Sequence, residues 1–424
     1  MELNSLHDFR KVPPFPLGAR PQHIERIYIT DTTLRDGQQG WRYLSKEESA
    51  AIYELLHEIG GKGAIRCTEV FLYTPKDREV AKELRSYGYE RPKVIAWVRA
   101  TLSDVQLVAD NGLDEAIVLM SISDLHIRHK FGLSREQAAE KYLEVARRAA
   151  QLGISFRASL EDITRADIEG FVIPFLERLM RISEGYGIEI GVRLPDTLGL
   201  GLPFDFVPPP RGIPALVKHI REATGLPPEA VEFHGHNDFG LVVANHLAAW
   251  LSGAGLSNCT LLGIGERSGN CPLEVMAIHY AALKGTSDIN LKAISKIPRL
   301  FEDMGYRVPE HQPLVGRNAF VTKAGIHADG LLKNPEVYLP FDPLEVLGIP
   351  YGVEITPYSG RAAIVLWLRN KAGMAHVRKE DPIVAKIHEK VVKLFEETGR
   401  TEPLDDEEMW SLVREALGEA RGNG

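Results

Sequence analysis

The sequence predicts an α/β fold, a (β/α)8 TIM barrel with a C-terminal, mostly helical subdomain. Eight short apolar runs alternate with longer segments whose apolar residues recur at helical spacing. The eight units span roughly 260 residues, about the length of such a barrel. Polar residues end nearly all of the runs, and a barrel gathers its active site at the carboxyl ends of its strands. An open doubly wound sheet is the alternative, but it usually has fewer strands and a glycine fingerprint.

The runs are short, apolar and rich in β-branched residues, and they set the predicted strands. The predicted strands are 27–33, 65–71, 93–100, 115–122, 155–162, 189–197, 230–238 and 258–266. Between them, residues 134–152 and 241–253 have the apolar spacing of amphipathic helices. Residues 200–212 interrupt the sixth unit. Their three consecutive prolines predict a loop, because proline lacks the N–H that helices and central strands use.

The segments outside the eight units predict three parts of the chain. Residues 1–25 form an irregular, proline-containing extension, and the barrel domain is predicted over 26–289. Over residues 290–424 the strand–helix alternation stops. Charged amphipathic helices are predicted there at 291–304, 382–397 and 405–420.

Composition narrows the kind of function. The 424 residues are 44% hydrophobic and 25% charged, which allows a large buried core. A net charge of −8 argues against a nucleic-acid surface, and no apolar run is long enough for a membrane span. Three scattered cysteines and an N-terminus without a signal-peptide-like apolar stretch predict a cytoplasmic protein. We therefore expect small molecules, or copies of the same chain, as partners.

Two strand ends together predict a metal site. The seventh predicted strand ends in His234 and His236, whose side chains leave the same face of a strand. The first ends in DTTLRDGQQ, which contains Arg35 and Asp36. Two imidazoles and a carboxylate suit a divalent transition metal, and Arg35 could stabilise a developing alkoxide. The alternative is one core histidine, one loop histidine and an ordinary surface ion pair.

The fifth predicted strand places Arg157, Ser159 and Glu161 on one face. Burying three such groups without partners is costly, so we expect them to face a ligand or one another. Basic residues 128–130 follow the fourth strand, where a solvated loop is favoured over an anion site.

The glycine-rich segment 263–271 follows the eighth predicted strand. It is a weak sign of phosphate binding, and a flexible loop at the barrel rim is the alternative. Cys271 at its end is expected to serve packing rather than nucleophilic catalysis, because no base neighbours it in the sequence.

Four motifs in combination, DTTLRDGQQ, HGHND, GIGERSGN and AGIHADG, resemble the DRE-TIM metallolyase superfamily. Over residues 27–340 the chain looks like its Claisen-condensing branch of isopropylmalate, homocitrate, citramalate and Re-type citrate synthases. The resemblance implies that Asp36, His234 and His236 bind a divalent metal, with Asn270 as a further ligand. Manganese or cobalt is favoured over magnesium or zinc. Arg35 is implied to stabilise the enolate and alkoxide oxygens.

The resemblance also implies substrate-binding positions. Thr197 matches a threonine that holds the C1 carboxylate of the 2-oxo acid, and Gln39 and Glu69 match residues near the metal. An RxSxE pattern that lines the oxo-acid pocket is matched by Arg157, Ser159 and Glu161.

From the tail, His327 and Tyr338 match the branch's catalytic histidine and tyrosine, which often serve the active site of a partner chain. The resemblance therefore implies a domain-swapped homodimer. His327, oriented by Glu161 or Tyr338, is the candidate for the proton transfers.

The implied reaction is a metal-dependent Claisen condensation of acetyl-CoA with a 2-oxo acid, followed by thioester hydrolysis. Several stretches look most like Re-type citrate synthases, which use oxaloacetate, or phosphinomethylmalate synthases. The second carboxylate of oxaloacetate needs a cation, for which Arg157 and Arg99 are the candidates, with Arg193 behind them. Thr101 stands near where homocitrate synthases place a histidine, which argues against 2-oxoglutarate. The chain is also too short for the leucine-binding regulatory domain of many isopropylmalate synthases.

Two other kinds of protein remain alternatives. A hydroxymethylglutaryl-CoA-type lyase needs a cysteine in the glycine loop before Asn270, and LLGIGERSGN has none. A non-catalytic, metal-dependent binding barrel is expected to lose Arg35 or His327, and both are present.

Overall fold

The computed structural model describes residues 8–18, 21–285 and 288–422. The chain divides into two compact units, one formed by Pro14–Tyr306 and the other by Arg307–Gly424 with the segment up to Pro13. The domain boundaries predicted from the sequence, at 25/26 and 289/290, stay a prediction. Among the described helices, none is long and apolar enough to cross a membrane.

Eight parallel strands close into a barrel in sequential order, which confirms the predicted fold class. The strands are β1 (Tyr28–Asp31), β2 (Ile65–Val70), β3 (Lys93–Arg99), β4 (Glu115–Ser121), β5 (Ser155–Glu161), β6 (Ile190–Asp196), β7 (Val231–Gly235) and β8 (Leu256–Cys259). The barrel closes where β1 pairs with β8, with Asp31 opposite Cys259. β8 begins and ends earlier than the predicted strand 258–266, because the chain turns at Leu261–Gly263 with Leu262 at φ 60°.

Helices cover the outside of the barrel. They are α1 (Gln38–Gly40), α2 (Lys46–Gly60), α3 (Pro75–Ser86), α4 (Leu102–Asp110), α5 (Asp124–Phe131), α6 (Arg135–Gln151), α7 (Ile173–Tyr186), α8 (Ile213–Thr224), α9 (Val242–Ser252), α10 (Leu273–Lys284) and α11 (Ile297–Asp303). Ser45, Thr74 and Ser134 start α2, α3 and α6 with reciprocal capping boxes. These caps satisfy backbone N–H groups that a helix start otherwise leaves unpaired.

The C-terminal unit is mostly helical, as predicted. Its elements are β9 (Val321–Thr322), α12 (Gly325–Lys333), α13 (Pro343–Leu347), β10 (Gly352–Val353), α14 (Arg361–Lys371), α15 (Pro382–Thr398) and α16 (Asp406–Gly422). The central helix α14 is buried over Ala362–Leu368, and its Trp367 indole donates to Asp406 at 2.9 Å. The predicted helix 291–304 forms as a short 3-10 turn followed by α11, and both belong to the barrel unit.

The inside of the barrel holds a row of buried ion pairs. Arg157 reaches Glu115 at 2.9 Å and Glu232 at 3.2 Å. Arg193, which is 1% exposed, pairs with Glu232 at 2.6 Å and also with Glu69. Charged side chains that are buried in a protein interior need partners of opposite charge. Carboxylates and guanidinium groups alternate along this row, so each charge has such a partner.

Candidate metal centre and active site

The chain turns sharply where β1 ends. The Thr32 carbonyl accepts hydrogen bonds from the backbone N–H groups of Arg35, Asp36 and Gly37, which forms a π-helical turn over Thr33–Gly37. The whole turn is buried. It therefore fixes Arg35 and Asp36 at the carboxyl end of the barrel, where TIM-barrel active sites form.

Asp36, His234 and His236 converge at this end. The Nε2 atom of His234 lies 3.2 Å from Nε2 of His236 and 3.4 Å from Oδ2 of Asp36. Nε2 of His236 lies 3.8 Å from the same Oδ2. Ligands bonded at about 2.0–2.2 Å to one ion stand at such separations, so the three donors form one face of a coordination shell.

The surroundings of both imidazoles favour the neutral form, which a metal ligand needs. Nδ1 of His234 lies 2.7 Å from the side-chain oxygen of Asn258, which leaves Nε2 of His234 as the unprotonated nitrogen. Burial lowers the pKa of His234 and of His236 below the ordinary value. Burial acts to raise the pKa of Asp36, but Arg35 and the neighbouring imidazoles hold it below its usual range.

Asn270 completes this group. Its side-chain nitrogen donates to Oδ2 of Asp36 at 2.8 Å, while its side-chain oxygen is buried and has no partner among the residues that the structure describes. A single bridge between His236 and Asn270 joins the segment after β7 to the segment after β8. An unpartnered buried oxygen beside two neutral imidazoles and a carboxylate fits a divalent metal ion, which such mixed oxygen and nitrogen sets bind.

Arg35 stands beside the three donors. Its guanidinium contacts Asp36 at 3.1 Å and Glu69 at 3.3 Å, and lies 5.0 Å over the Trp97 ring. Glu69 also accepts from Asn258 at 2.8 Å. Arg35 is therefore a fixed positive charge next to the metal centre. It is also the last positively charged side chain in the row of ion pairs inside the barrel.

Glu161, the last residue of β5, is held through one oxygen by two hydrogen bonds, and an imidazole lies beside that oxygen. Lys130 reaches Oε2 at 2.7 Å and Nδ1 of His126 lies 3.2 Å from it, while the Ser121 hydroxyl makes a short hydrogen bond. Although burial acts to raise it, these hydrogen bonds lower the pKa of Glu161 to about 2. Among the described residues, no hydrogen bond reaches its other oxygen, Oε1. Glu161 therefore presents a fixed carboxylate.

Thr197 is tied to the residue after Glu161. The backbone N–H of Asp162 donates to the Thr197 hydroxyl at 2.9 Å. Asp162 is fully buried and has φ 67°, an unusual conformation for a residue with a side chain. Its carboxylate accepts from Ser123 at 2.5 Å, which also begins α5. The hydrogen bond between Asp162 and Thr197 thus joins the ends of β5 and β6, and Ser123 holds Asp162 in place.

Two arginines are predicted to bind the oxo acid, and in the structure both pair with carboxylates of the chain itself. Arg157 is buried between Glu115 and Glu232, towards the amino end of β5. Arg99 is exposed and makes a bidentate ion pair with Asp104 at 2.9 and 3.1 Å. These carboxylates already neutralise both side chains. The contact of either arginine with the oxo acid stays a prediction.

The remaining predicted site residues differ in their surroundings. Ser159 is buried in β5, whereas Gln39 is exposed in α1. His327 and Tyr338 belong to the C-terminal unit, where their rings lie 4.3 Å apart.

Sequence reasoning missed Lys130 and His126, assigning residues 128–130 to a solvated loop. The missed signal was helical spacing: the two side chains are four residues apart in α5, so they share one face. Asn258 was missed as well, although it stands in β8 on the face that points into the barrel.

The chain belongs to the HMGL-like family, whose model matches residues 26–301. A second model, described as homocitrate synthase post-HMGL domain-like, matches residues 314–398. The two matches fall on the barrel unit and on the C-terminal unit respectively.

Curated relatives match nearly the whole chain. A citrate (Re)-synthase of Clostridium kluyveri is 43% identical over 93% of this chain and 88% of its own length. A citrate (Re)-synthase of Syntrophus aciditrophicus is 39% identical over 94% of this chain and 64% of its own length. The 2-phosphinomethylmalate synthase of Streptomyces hygroscopicus is 38% identical over 96% and 94% respectively.

Solved structures agree on the fold. The HMG-CoA lyase of Bacillus subtilis matches with a TM-score of 0.53 and 21% identity, over 71% of this chain and 98% of the lyase chain. At this identity the match supports the barrel architecture alone.

Proposed function

We propose that the chain condenses acetyl-CoA with a 2-oxo acid in a metal-dependent reaction, with oxaloacetate as the oxo acid and citrate and CoA as products. One observation carries the reaction class: Asp36, His234 and His236 converge within 4 Å of one another, and Arg35 lies 3.1 Å from Asp36. The relatives named above support the choice of reaction, since two are citrate (Re)-synthases.

The site supplies parts that a condensation needs. A divalent ion held by Asp36, His234 and His236 would supply Lewis acidity at the carbonyl of the oxo acid. Arg35, as a fixed guanidinium, stabilises negative charge that develops on oxygen during carbon–carbon bond formation. Thr197 offers a hydroxyl for the C1 carboxylate.

Proton transfer is assigned to His327 and Glu161. Glu161 is ionised at neutral pH, so it acts as a hydrogen-bond acceptor and orients a protonated or neutral imidazole. His327, with Tyr338 beside it, is the proposed group that moves the proton of the acetyl methyl group. These roles rest on the family resemblance of the two residues.

We infer a homodimer in the cytoplasm, in which His327 and Tyr338 serve the site of the partner subunit. The resemblance to the condensing branch supports this arrangement. Manganese or cobalt is the proposed native metal, because the donor set combines imidazole nitrogens with a carboxylate.

The identity of the oxo acid is tested by a substrate panel. Purified protein with Mn²⁺ and acetyl-CoA is given oxaloacetate, 2-oxoglutarate, pyruvate or 2-oxoisovalerate, and release of free CoA is followed. We expect the highest kcat/KM with oxaloacetate and citrate as the product. Clear release with another oxo acid and none with oxaloacetate would reject the citrate assignment but keep the reaction class. Omission of each oxo acid measures background thioester hydrolysis.

A further inference from the structure

A second group of metal-ligating side chains lies outside the proposed active site. His246 of α9, Cys259 at the end of β8 and Cys271 just before α10 are all fully buried. One possible ligand atom from each lies within 4.8 Å of the other two. The proposed reaction uses none of the three.

The backbone holds the two cysteines side by side. The N–H of Thr260 donates to the Cys271 carbonyl at 3.0 Å, and the N–H of Leu273 donates to the Thr260 carbonyl at 2.8 Å. The segments that carry the two thiols are therefore paired at a single bridge between Thr260 and Pro272. Neither thiol depends on a flexible loop for its position.

One imidazole nitrogen of this group lacks a partner among the described residues. Nδ1 of His246 lies 2.7 Å from the Ser257 hydroxyl, but Nε2 of His246 is buried and forms no hydrogen bond within the described part of the chain. Buried polar atoms are normally satisfied, and a place for a bound ion is one reason for an exception.

The donor types suit zinc. Zinc binds thiolate at about 2.3 Å and imidazole at about 2.0–2.1 Å, which places tetrahedral donors about 3.5–3.8 Å apart. Side-chain adjustments of about an ångström bring the three donors to that spacing. Two thiolates also balance the charge of a divalent ion, so the filled site adds no net charge to the core.

We propose that His246, Cys259 and Cys271 form a second, structural site for a divalent zinc-like ion. The polar group next to these donors is the Ser257 hydroxyl, which lies 2.7 Å from Nδ1 of His246 and 3.4 Å from Sγ of Cys259. This site differs in chemistry from the Asp36 centre, because thiolates select softer ions than carboxylates do. Since Cys271 follows Asn270, whose side chain donates to Asp36 at 2.8 Å, the ion ties the active-site loop to α9 and β8.

The test uses Co²⁺ as a spectroscopic probe on reduced, metal-depleted, full-length protein. Thiolate ligation gives an intense charge-transfer absorption that imidazole and carboxylate ligands do not. We expect this absorption in the wild type, together with two bound ions per chain, one for each group of donors. Cys259→Ser and Cys271→Ser should each lose the absorption and one ion.

Two matched variants separate the sites. Cys67→Ser changes the third buried cysteine, which contacts Arg157 rather than this group, and should keep the absorption. Asp36→Asn should lose the other ion but keep the absorption, so this test is independent of the proposed condensation. Absence of the charge-transfer band in the wild type, or its persistence in both cysteine variants, would overturn the proposal. The wild-type and Cys67→Ser spectra decide the matter even if the other cysteine variants do not fold.

Discussion

Arg193 shows how single residues support the metal centre from within the barrel. It pairs with Glu232 and Glu69, and Glu69 in turn contacts Arg35 beside the metal ligands. All of these charges are almost fully buried. The position of Arg35 therefore depends on charges that lie further inside the barrel.

Replacing Arg193 with methionine leaves Glu69 and Glu232 without their shared partner. We expect Arg193→Met to lower the free energy of unfolding by about 3–5 kcal/mol, the usual cost of breaking a buried ion pair. Urea denaturation measures this loss. Arg178→Met, which breaks exposed pairs with Glu136 and Glu140, should cost only about 0–1 kcal/mol. Equal losses in the two variants would contradict the structural role of Arg193.

Lys130 should control the ionisation of Glu161. Its removal in Lys130→Met should raise the pKa of Glu161 by about 1 unit or more. In the wild type, that pKa of about 2 lies below the ordinary value of 4.5. The wild type therefore gains stability from this carboxylate above about pH 4.5, and the gain is lost as the pH falls towards 2.

Urea midpoints at neutral and acid pH test this. Lys130→Met should be less stable than the wild type at pH 7, and the difference should shrink as the pH approaches about 2. Lys130→Arg should restore stability, and Arg128→Met, an exposed change in the same helix, should leave both curves unchanged. A stability difference that does not vary with pH would rule out the link between Lys130 and Glu161.

Residue pairs across the barrel were the least predictable part of the site. Alternation along one strand predicted that His234 and His236 share a face, and they do. The same alternation places Glu232 on that face two residues earlier, which was overlooked. The RxSxE pattern predicts Arg157 in the substrate pocket, but the carboxylates that it contacts, Glu115 and Glu232, come from other strands and are not indicated by that pattern. Strand alternation indicates direction but not the depth of a side chain in a barrel.

At the level of elements, the loops after β1 and β8 fit against each other through glycines. A side chain at Gly40 would overlap the backbone of Gly265, and one at Gly265 would overlap the side-chain oxygen of Asn270. The glycine-rich segment after β8 therefore has a packing role. The two loops approach closely enough for Asn270 to reach Asp36.

Gly265→Ala should displace Asn270 and weaken metal binding or activity by about 10–100-fold, as changes next to metal ligands do. Titration with Mn²⁺ and the rate of CoA release measure the two effects. The matched control is Gly185→Ala in α7, where an added methyl group meets no atom within 4 Å. Alanine there should leave activity unchanged and stabilise slightly, because glycine costs about 0.5–1 kcal/mol inside a helix. Unchanged metal affinity in Gly265→Ala would show that Asn270 is not needed.

At the level of the whole molecule, the barrel could be predicted because eight apolar runs alternate with helical patterns. The division into two units was harder to predict. The amphipathic pattern of 291–304 resembles that of the later helices, yet it packs as α11 in the barrel unit. A helical period shows which face is buried but not the domain against which it packs.

The proposed exchange of residues between subunits can be tested by complementation. Asp36→Asn and His327→Ala should each be inactive alone, for loss of a metal ligand and of the proton-transfer group. If His327 serves the partner site, a mixed dimer keeps one intact site. Unfolding and refolding the two variants together should restore about a quarter of wild-type activity, since random mixing makes half of the dimers mixed and each has one intact site of two. No recovery in a mixture that forms dimers would contradict the exchange.

The most direct measurement follows CoA release and citrate formation from acetyl-CoA and oxaloacetate, using chelator-treated protein before and after addition of Mn²⁺. We expect no activity without the metal, full recovery with Mn²⁺, and no recovery in His236→Ala, which loses an imidazole ligand. Citrate formation that persists in the chelated protein, or in folded His236→Ala, would contradict the metal-dependent site of Asp36, His234 and His236.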